Sequence, residues 1–430
     1  MTTGKSPDRR RFIKSTAKTV VAGSLVGSLV SQPSTAFGYH TGVDDKLRIG
    51  LVGCGGRGTG AVINALKADS NSEVTAVADA FQDRIDVCLK SLGRNKLAKD
   101  RMNVTPERQF TGFDCAKNLV DSDVDVVILA TPPYFRPSQL RAAVEAGKHV
   151  FCEKPVAVDA PGVRHVEESC KMASEMGTSV VSGLCWRYDD GVRATMEQIQ
   201  GGLIGDILTI QENYLTGTLW HRGENPEWSE MEYQMRNWLY YNWLSGDHIA
   251  EQHIHSLDKA VWLMGDEAPS LAYGSGGRLV RTQPKWGNIY DHFSTCYEWD
   301  NGVKAYSYCR QMAGCFNDVE DYIVGTEGTA KILKHEIRDA NGNVVWKFDQ
   351  KKPSMYDVEH VHLFRSIRQG QPINNGDYMC KSTLMAIMGR EASYTGKKIE
   401  WDKLHESDVK LGPENWAWGD YQPREVAKPG

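Results

Sequence analysis

The sequence predicts an α/β chain in two parts: a parallel β-sheet covered by helices on both faces, then an α+β part with an open, mostly antiparallel sheet. Three observations predict it. Short apolar runs such as Leu47 to Val52 (LRIGLV) and Asp125 to Ala130 (DVVILA) alternate with helical stretches in the first half, as strands buried on both faces do. Glycines follow the first run at once. After about Trp186 the runs become strand-like and are separated by turn signals such as Asp300-Asn301-Gly302 and Asn341-Gly342-Asn343.

Residues 1–36 form a separate segment. Arg9-Arg10-Arg11-Phe12-Ile13-Lys14 has the layout of a twin-arginine export signal. The apolar run Val20 to Val30 and the small-residue site Ser34-Thr35-Ala36 follow in the order of a cleavable signal peptide. The run is shorter than the about 20 apolar residues of a spanning helix. Asp8 stands where such signals usually carry Ser or Thr. The expectation is export by the twin-arginine translocase and a periplasmic or otherwise extracytoplasmic mature protein.

Residues 46–185 carry the parallel sheet. Leu47 to Val52 is a strand, Thr59 to Ala68 a helix, Glu73 to Ala78 a second strand and Asp125 to Ala130 a third. Arg136 to Ala146 is helical, Lys148 to Cys152 a strand, Asp159 to Met176 a long helix, and Thr178 to Leu184 closes the set. Residues 186–402 begin with a helix (Gly191 to Gln200), a strand (Ile207 to Tyr214) and an aromatic-rich segment (Leu219 to Leu244). A helix from Asp247 to Leu263 follows. Strands are expected over Leu271 to Val280, His292 to Trp299, Lys304 to Cys309, Asp321 to Gly325 and Val344 to Phe348. Helices over Tyr356 to Arg368 and Met379 to Tyr394 finish this part, and residues 403–430 are a Trp- and Pro-containing tail without a period.

The apolar fraction is 41%, enough for large cores, and the net charge of −5 argues against a nucleic-acid partner. The ten cysteines include no CxxC pair. They read as buried free thiols, in keeping with folding in a reducing compartment.

Gly53-Cys54-Gly55-Gly56-Arg57-Gly58 fits G-x-G-x-x-G between a strand and a helix, the setting of a Rossmann dinucleotide loop. Gly53 would make the turn, Gly55 would admit a pyrophosphate, and Gly58 would let the helix pack on the strand, with Gly56 and Arg57 between them. Asp79 ends the second strand, where an acid accepts ribose hydroxyls and disfavours a 2′-phosphate. The expected cofactor is NAD. The competing reading is a structural turn.

Glu153-Lys154-Pro155 follows the Lys148 to Cys152 strand, so Lys154 is a candidate for the crevice at the carboxyl ends of the strands. A lysine there suits proton exchange with a hydroxyl, and a surface lysine in a turn is equally compatible with the spacing. Arg187 follows the next strand in the same way, with an ordinary surface arginine as its alternative. In the Asp247 to Asp258 helix, Glu251 and His255 are i and i+4 and share a face, an arrangement suited to acid/base work. His248, Glu251 and His255 also make a conceivable zinc set, although not at HExxH spacing; no metal is expected. A polar helix face is the plainest alternative.

Four features resemble the glucose–fructose oxidoreductase, inositol dehydrogenase and rhizopine catabolism family (Gfo/Idh/MocA). They are Gly53 to Gly58, Ala130-Thr131-Pro132-Pro133, Ala146 to Val150 leading into Glu153-Lys154-Pro155, and the Glu251 to Asp258 helix. The resemblance spans about Leu47 to Trp401. It implies that Thr131, Pro132, Glu153 and Lys154 line the cofactor, that Lys154 polarises a substrate hydroxyl, and that His255 exchanges its proton. Glu251 would hold the sugar or the histidine. This chain departs from the family pattern in having Glu251 for Asp and His253 for a small residue.

Trp220, His221, Trp228, Tyr233, Trp238, Tyr240, Tyr241 and Trp243 crowd one segment. Aromatic faces beside polar groups suit a carbohydrate, and also a domain core or an oligomer interface. Trp238 and Arg187 join Lys154, Glu251 and His255 as candidate substrate-binding residues. The expected activity is oxidation of a sugar, sugar-derivative or cyclitol hydroxyl, with a tightly held, recycled cofactor. The alternatives are an NAD-dependent glycosidase working by transient oxidation and elimination, and a non-catalytic sugar sensor. A homo-oligomer is expected by analogy of fold.

Overall fold

The structure is a computed structural model and describes residues 45–430. The export segment expected over residues 1–36 lies outside the described residues. The first part comprises β1 (Leu47–Val52), α1 (Gly56–Ala68), β2 (Ser72–Asp79), α2 (Gln82–Arg94), β3 (Gln109–Thr111), α3 (Cys115–Val120), β4 (Val126–Leu129), α4 (Arg136–Glu145), β5 (His149–Cys152), α5 (Ala160–Met176) and β6 (Val180–Ser182). The second begins with α6 (Asp190–Gln200), β7 (Ile207–Thr216), α7 (Glu230–Arg236), α8 (Asn242–Ser245), α9 (His248–Glu251) and α10 (Ile254–Leu263). It continues through β8 (Leu271–Gly277), β9 (His292–Glu298), β10 (Lys304–Gln311), β11 (Asp318–Gly325), β12 (Gly328–Lys331), β13 (Glu336–Asp339) and β14 (Val344–Lys347). The last elements are α11 (Met355–Gln369), α12 (Gly376–Thr395), β15 (Ile399–Glu400) and α13 (Trp401–His405).

The first sheet is parallel, in the order β3-β2-β1-β4-β5-β6. Its order reverses between β1 and β4, which opens a crevice at their carboxyl ends, the ligand position of doubly wound sheets. Strand β4 is buried along its whole length, as its unbroken apolar run requires. One helical layer comes from far along the chain: Leu363, Phe364 and Ile367 of α11 join the core of β1, β2 and α1. The Ile373 carbonyl accepts from Val180 N (2.7 Å), and Asn375 N donates to the Val180 carbonyl (2.9 Å), stitching this return segment to β6.

The second sheet runs β14-β13-β12-β11-β7-β10-β9-β8-β15 and is antiparallel except for the parallel pair β7 and β10. In β10, Ala305, Ser307 and Cys309 face the helices, while Tyr306 and Tyr308 stand on the open face. The predicted helix over Asp247 to Leu263 is two helices, broken at Gln252–His253. Asp247 starts it with φ +69°, an uncommon left-handed conformation for a non-glycine residue. Its carboxylate holds that turn, accepting from His248 N (2.6 Å), Tyr290 N (2.8 Å) and the Tyr394 hydroxyl (2.6 Å). Among the described residues no helix is long and apolar enough to cross a membrane. The cysteines are unpaired and only Cys315 is exposed.

Candidate active site

The glycine loop joins β1 to α1. Gly53 has φ +98°, and a Cβ there would strike the backbone of Ala130 and Thr131 after β4. A Cβ on Gly58 would collide with the Gly53 carbonyl. At Gly55 and Gly56 the same test meets open space, and no side chain caps α1. The first amides of α1 therefore face the crevice without a partner side chain, which fits a pyrophosphate. The Asp79 carboxylate accepts from Cys54 N (2.7 Å) and Phe81 N (3.1 Å), and burial holds its pKa above the ordinary value. Its remaining lone pairs suit ribose hydroxyls. These residues fit NAD.

A cavity of about 700 Å³ is lined by Gly53, Gly55, Gly56, Asp79, Thr131, Pro132 and Trp238, among others. The aromatic segment lines it at the Asp79 end through Trp220, Trp228 and Trp238. Arg236 of α7 pairs with Asp83 of α2 (3.0 Å) and lies 4.0 Å over the Phe81 ring. Trp238 packs edge-on against Trp220 (6.0 Å between ring centres). Behind the wall runs the C-terminal tail: Trp418 packs on Phe113 (4.5 Å) and Phe81 (5.5 Å), and Trp416 on Phe135 (5.2 Å). The tail is pinned before this crossing by Tyr134, whose hydroxyl donates to the Pro413 carbonyl (2.9 Å). After it, Gln234 donates to the Tyr421 carbonyl (2.8 Å) and the Tyr290 hydroxyl to the Ala427 carbonyl (2.8 Å).

Lys154, Glu251 and His255 are not part of that lining. They stand beside its Thr131 end, where buried Arg136 bridges the Thr131 carbonyl (2.7 Å) to that of Pro155. Lys154 Nζ donates to the Glu251 carbonyl (2.5 Å) and lies 3.3 Å from its Oε1. Glu251 thus holds the lysine; no hydrogen bond joins it to His255, because the helix break turns the two apart. The His255 residue keeps some exposure while its Nδ1 is buried without a partner, which leaves Nε2 to meet a ligand. Burial, with Lys154, Lys259 and Arg57 nearby, holds its pKa well below the usual histidine value. It is a neutral imidazole at physiological pH.

Three expected site residues sit elsewhere or work differently. The Arg57 side chain does not reach over the loop but pairs with Glu153 and with Glu359 (2.6 Å). Glu153 is buried and serves as that arginine's partner. Arg187 does not reach Lys154: it is fixed by Asp258 (2.9 Å) and Asp266 (2.7 Å) and lies 3.9 Å over the Tyr378 ring. A buried arginine matched by two acids satisfies its charge internally, so it braces α10 and is removed from the substrate set. His248 turns to Asp247 (2.9 Å), and among the described residues no group of three or more His, Cys, Asp or Glu converges as a metal site. Arg136 and Asp247 went unread in the sequence: Arg136 is satisfied by backbone carbonyls, which no side-chain pattern marks, and Asp247 by Tyr290 and Tyr394, which are distant in the chain.

The same architecture occurs in known proteins. Residues 47–184 match a family described as an oxidoreductase family with an NAD-binding Rossmann fold, and residues 192–331 match the GFO/IDH/MocA C-terminal domain. The 2,7-anhydro-N-acetylneuraminate hydratase of Escherichia coli K12 is 31% identical over 238 residues, 54% of this chain and 58% of that protein. This chain thus spans little more than half of that relative's length. The scyllo-inositol 2-dehydrogenase (NAD(+)) of Bacillus subtilis 168 is 23% identical over 76% of this chain and 88% of its own. Scyllo-inositol dehydrogenase from Lactobacillus casei, solved with NAD(H) and scyllo-inositol, superposes with a TM-score of 0.62 at 20% identity, covering 83% of this chain and 100% of that one. At that identity the likeness is one of fold.

Proposed function

The chain belongs to the Gfo/Idh/MocA family of oxidoreductases with an NAD-binding Rossmann domain, and from that premise we propose that it oxidises a ring hydroxyl of a sugar, sugar derivative or cyclitol with an NAD that stays bound and is recycled. The observation that carries this reading is the Lys154–Glu251 contact beside a neutral, partly exposed His255, next to the Thr131 end of the glycine-loop crevice. NAD supplies the hydride acceptor. Lys154 has three ammonium hydrogens; two face Glu251, and the third is free for a substrate oxygen. His255 Nε2 takes the hydroxyl proton as the C–H bond breaks. Glu251 fixes the lysine rather than the histidine. The aromatic wall at the Asp79 end, braced by the Arg236–Asp83 pair, supports retention of the cofactor.

A second reading, redox-neutral elimination through transient oxidation, is supported by the hydratase relative, which is 31% identical. The purified protein incubated with sugars, cyclitols and aryl glycosides separates the two. Accumulation of reduced cofactor with a sugar or cyclitol supports the oxidoreductase. Release of aglycone or of an eliminated product, with no oxidised sugar and no net reduction, supports the second reading, and absence of any reduced cofactor, oxidised sugar or eliminated product sinks the catalytic assignment.

The Arg9 to Lys14 layout supports export by the twin-arginine route in folded form, with NAD already bound. Replacing Arg9 and Arg10 by lysine is expected to leave the protein in the cytoplasm on cell fractionation. The open face of the second sheet, with Tyr306 39% and Tyr308 38% exposed, supports association with a second copy.

A further inference from the structure

Behind His255 lies a buried charge cluster that the proposed chemistry has not used. Lys259 stands one turn along α10 from His255, and its Nζ donates to the His255 carbonyl (2.8 Å). The same Nζ pairs with Asp321 of β11 (3.0 Å); both side chains are 1% exposed. Glu212 of β7 is the register partner of Asp321 and is fully buried; neither carboxyl has a hydrogen bond on its oxygens, and only Asp321 has the ion pair with Lys259. One cation faces two carboxyls, so only one of them is matched. Burial raises both carboxyls, Glu212 well above its ordinary value, and Lys259 opposes the rise at Asp321 through the direct ion pair, so Glu212 is the neutral member. A buried ion pair is seldom the most stable way to fill a core, and apolar side chains of similar volume commonly do as well. This pair touches the backbone of the one residue whose protonation state the chemistry depends on.

We propose that Lys259, fixed by Asp321, is a positioning residue for His255: it anchors the turn that carries the imidazole and sets a permanent cation next to it, so that the ring enters catalysis as a base. This rests on the reading of His255 as proton acceptor. The titratable groups around the ring come from several elements. Lys154 follows β5, Arg57 belongs to α1, Lys259 to the same helix and Glu251 to α9; the three cations disfavour a protonated ring. Burial pushes the Tyr214 phenol of β7 up to about 12 and raises the Cys185 thiol near Lys154, so both stay uncharged. Asp321 and Glu212 stand behind Lys259.

The test follows the His255 resonance of ¹⁵N-histidine-labelled full-length protein against pH, assigned with His255→Gln, alongside the pH profile of kcat/KM. In the unsubstituted protein His255 is expected to stay neutral to well below the ordinary histidine range. Lys259→Met is expected to raise its titration, and the acid limb of the profile, by about one pH unit. Lys259→Arg, which keeps the charge, is expected to restore both. An unmoved His255 titration in folded Lys259→Met, or an ordinary titration in the unsubstituted protein, overturns the proposal; the second measurement stands even if Lys259→Met fails to fold. Turnover with an unmoved titration removes the positioning role alone. A Lys259-dependent titration in a protein that turns over none of the panel removes the catalytic reading instead.

Discussion

A lysine ammonium has three hydrogens, and the geometry at Lys154 commits two of them to Glu251. Lys154→Met is therefore expected to lower kcat by about 10²–10⁴-fold, the range of a positioned proton-transfer group. NAD affinity, measured by fluorescence titration, is expected to stay near that of the unsubstituted protein; an equal loss in both would mean that the lysine serves the cofactor. A second single-residue effect concerns stability. His360 is fully buried, stacks on Phe151 (4.2 Å between ring centres), and has neither ring nitrogen paired. Burial holds its folded pKa well below the value of 6.5 that it has when unfolded. Its neutral form is compatible with the fold above about pH 6.5, and stability is lost as pH falls from there toward the folded pKa, because the unfolded chain takes up the proton first. His360→Phe keeps the stack and removes the unpaired nitrogens. It is expected to raise stability by about 1–2 kcal/mol and to flatten the acid decline, read from urea midpoints at pH 7 and pH 5. The glycine loop, Asp79 and Lys154 were legible in the sequence because a strand end and a local spacing define each of them. Arg187 was not, because Asp266 and the Tyr378 ring that hold it are distant in the chain.

At the level of elements, the wall over the Asp79 end of the cavity joins α2 with Asp83 to α7 with Arg236, and the tail with Trp416 and Trp418 backs it. Arg236 holds the first two together through an ion pair and a ring contact. A cation–π contact and an aromatic pair each contribute on the order of 1 kcal/mol. Arg236→Ala is expected to speed NAD release about tenfold, followed by trapping the freed cofactor with an NAD-consuming enzyme; an unchanged rate would show that the wall does not hold the cofactor. The tail offered no periodicity to read, since its order comes from contacts with Phe81, Phe113 and Phe135 rather than from a repeating pattern. The helix over Asp247 to Leu263 read as continuous for the opposite reason. Its period is regular and no Gly or Pro interrupts it, and the break at Gln252–His253 directly follows the short first helix, which is held at Asp247 by Tyr290 and Tyr394 and at Glu251 by the Lys154 contact. Helix α2, strand β3 and helix α3 were not legible either. Strand β3 has only three residues, too few for an alternation to show.

For the whole molecule, the two-part plan followed from the change of texture near Trp186, because parallel and antiparallel sheets demand different patterns of apolar residues. The open face of the second sheet is the largest surface consequence of that plan. Tyr306 and Tyr308 lie beside Gln211 and Asn213 on the neighbouring strand, with Tyr273 42% exposed two strands away. If a second copy covers this face, Tyr306→Glu with Tyr308→Glu is expected to shift sedimentation from dimer to monomer while leaving NAD affinity unchanged. An unsubstituted protein that sediments as a monomer at micromolar concentration would rule the dimer out. The return of α11 to the nucleotide-binding sheet has a consequence for synthesis. That sheet leaves the ribosome first, yet its core lacks Leu363, Phe364 and Ile367, and β6 lacks its neighbour at Ile373, until almost the entire chain has been made. At about 5–20 residues per second the wait is on the order of ten to forty seconds. Through that interval the amino-terminal half stays open to chaperones and proteases, and the order of translation, rather than the order of domains, decides when the cofactor crevice first exists.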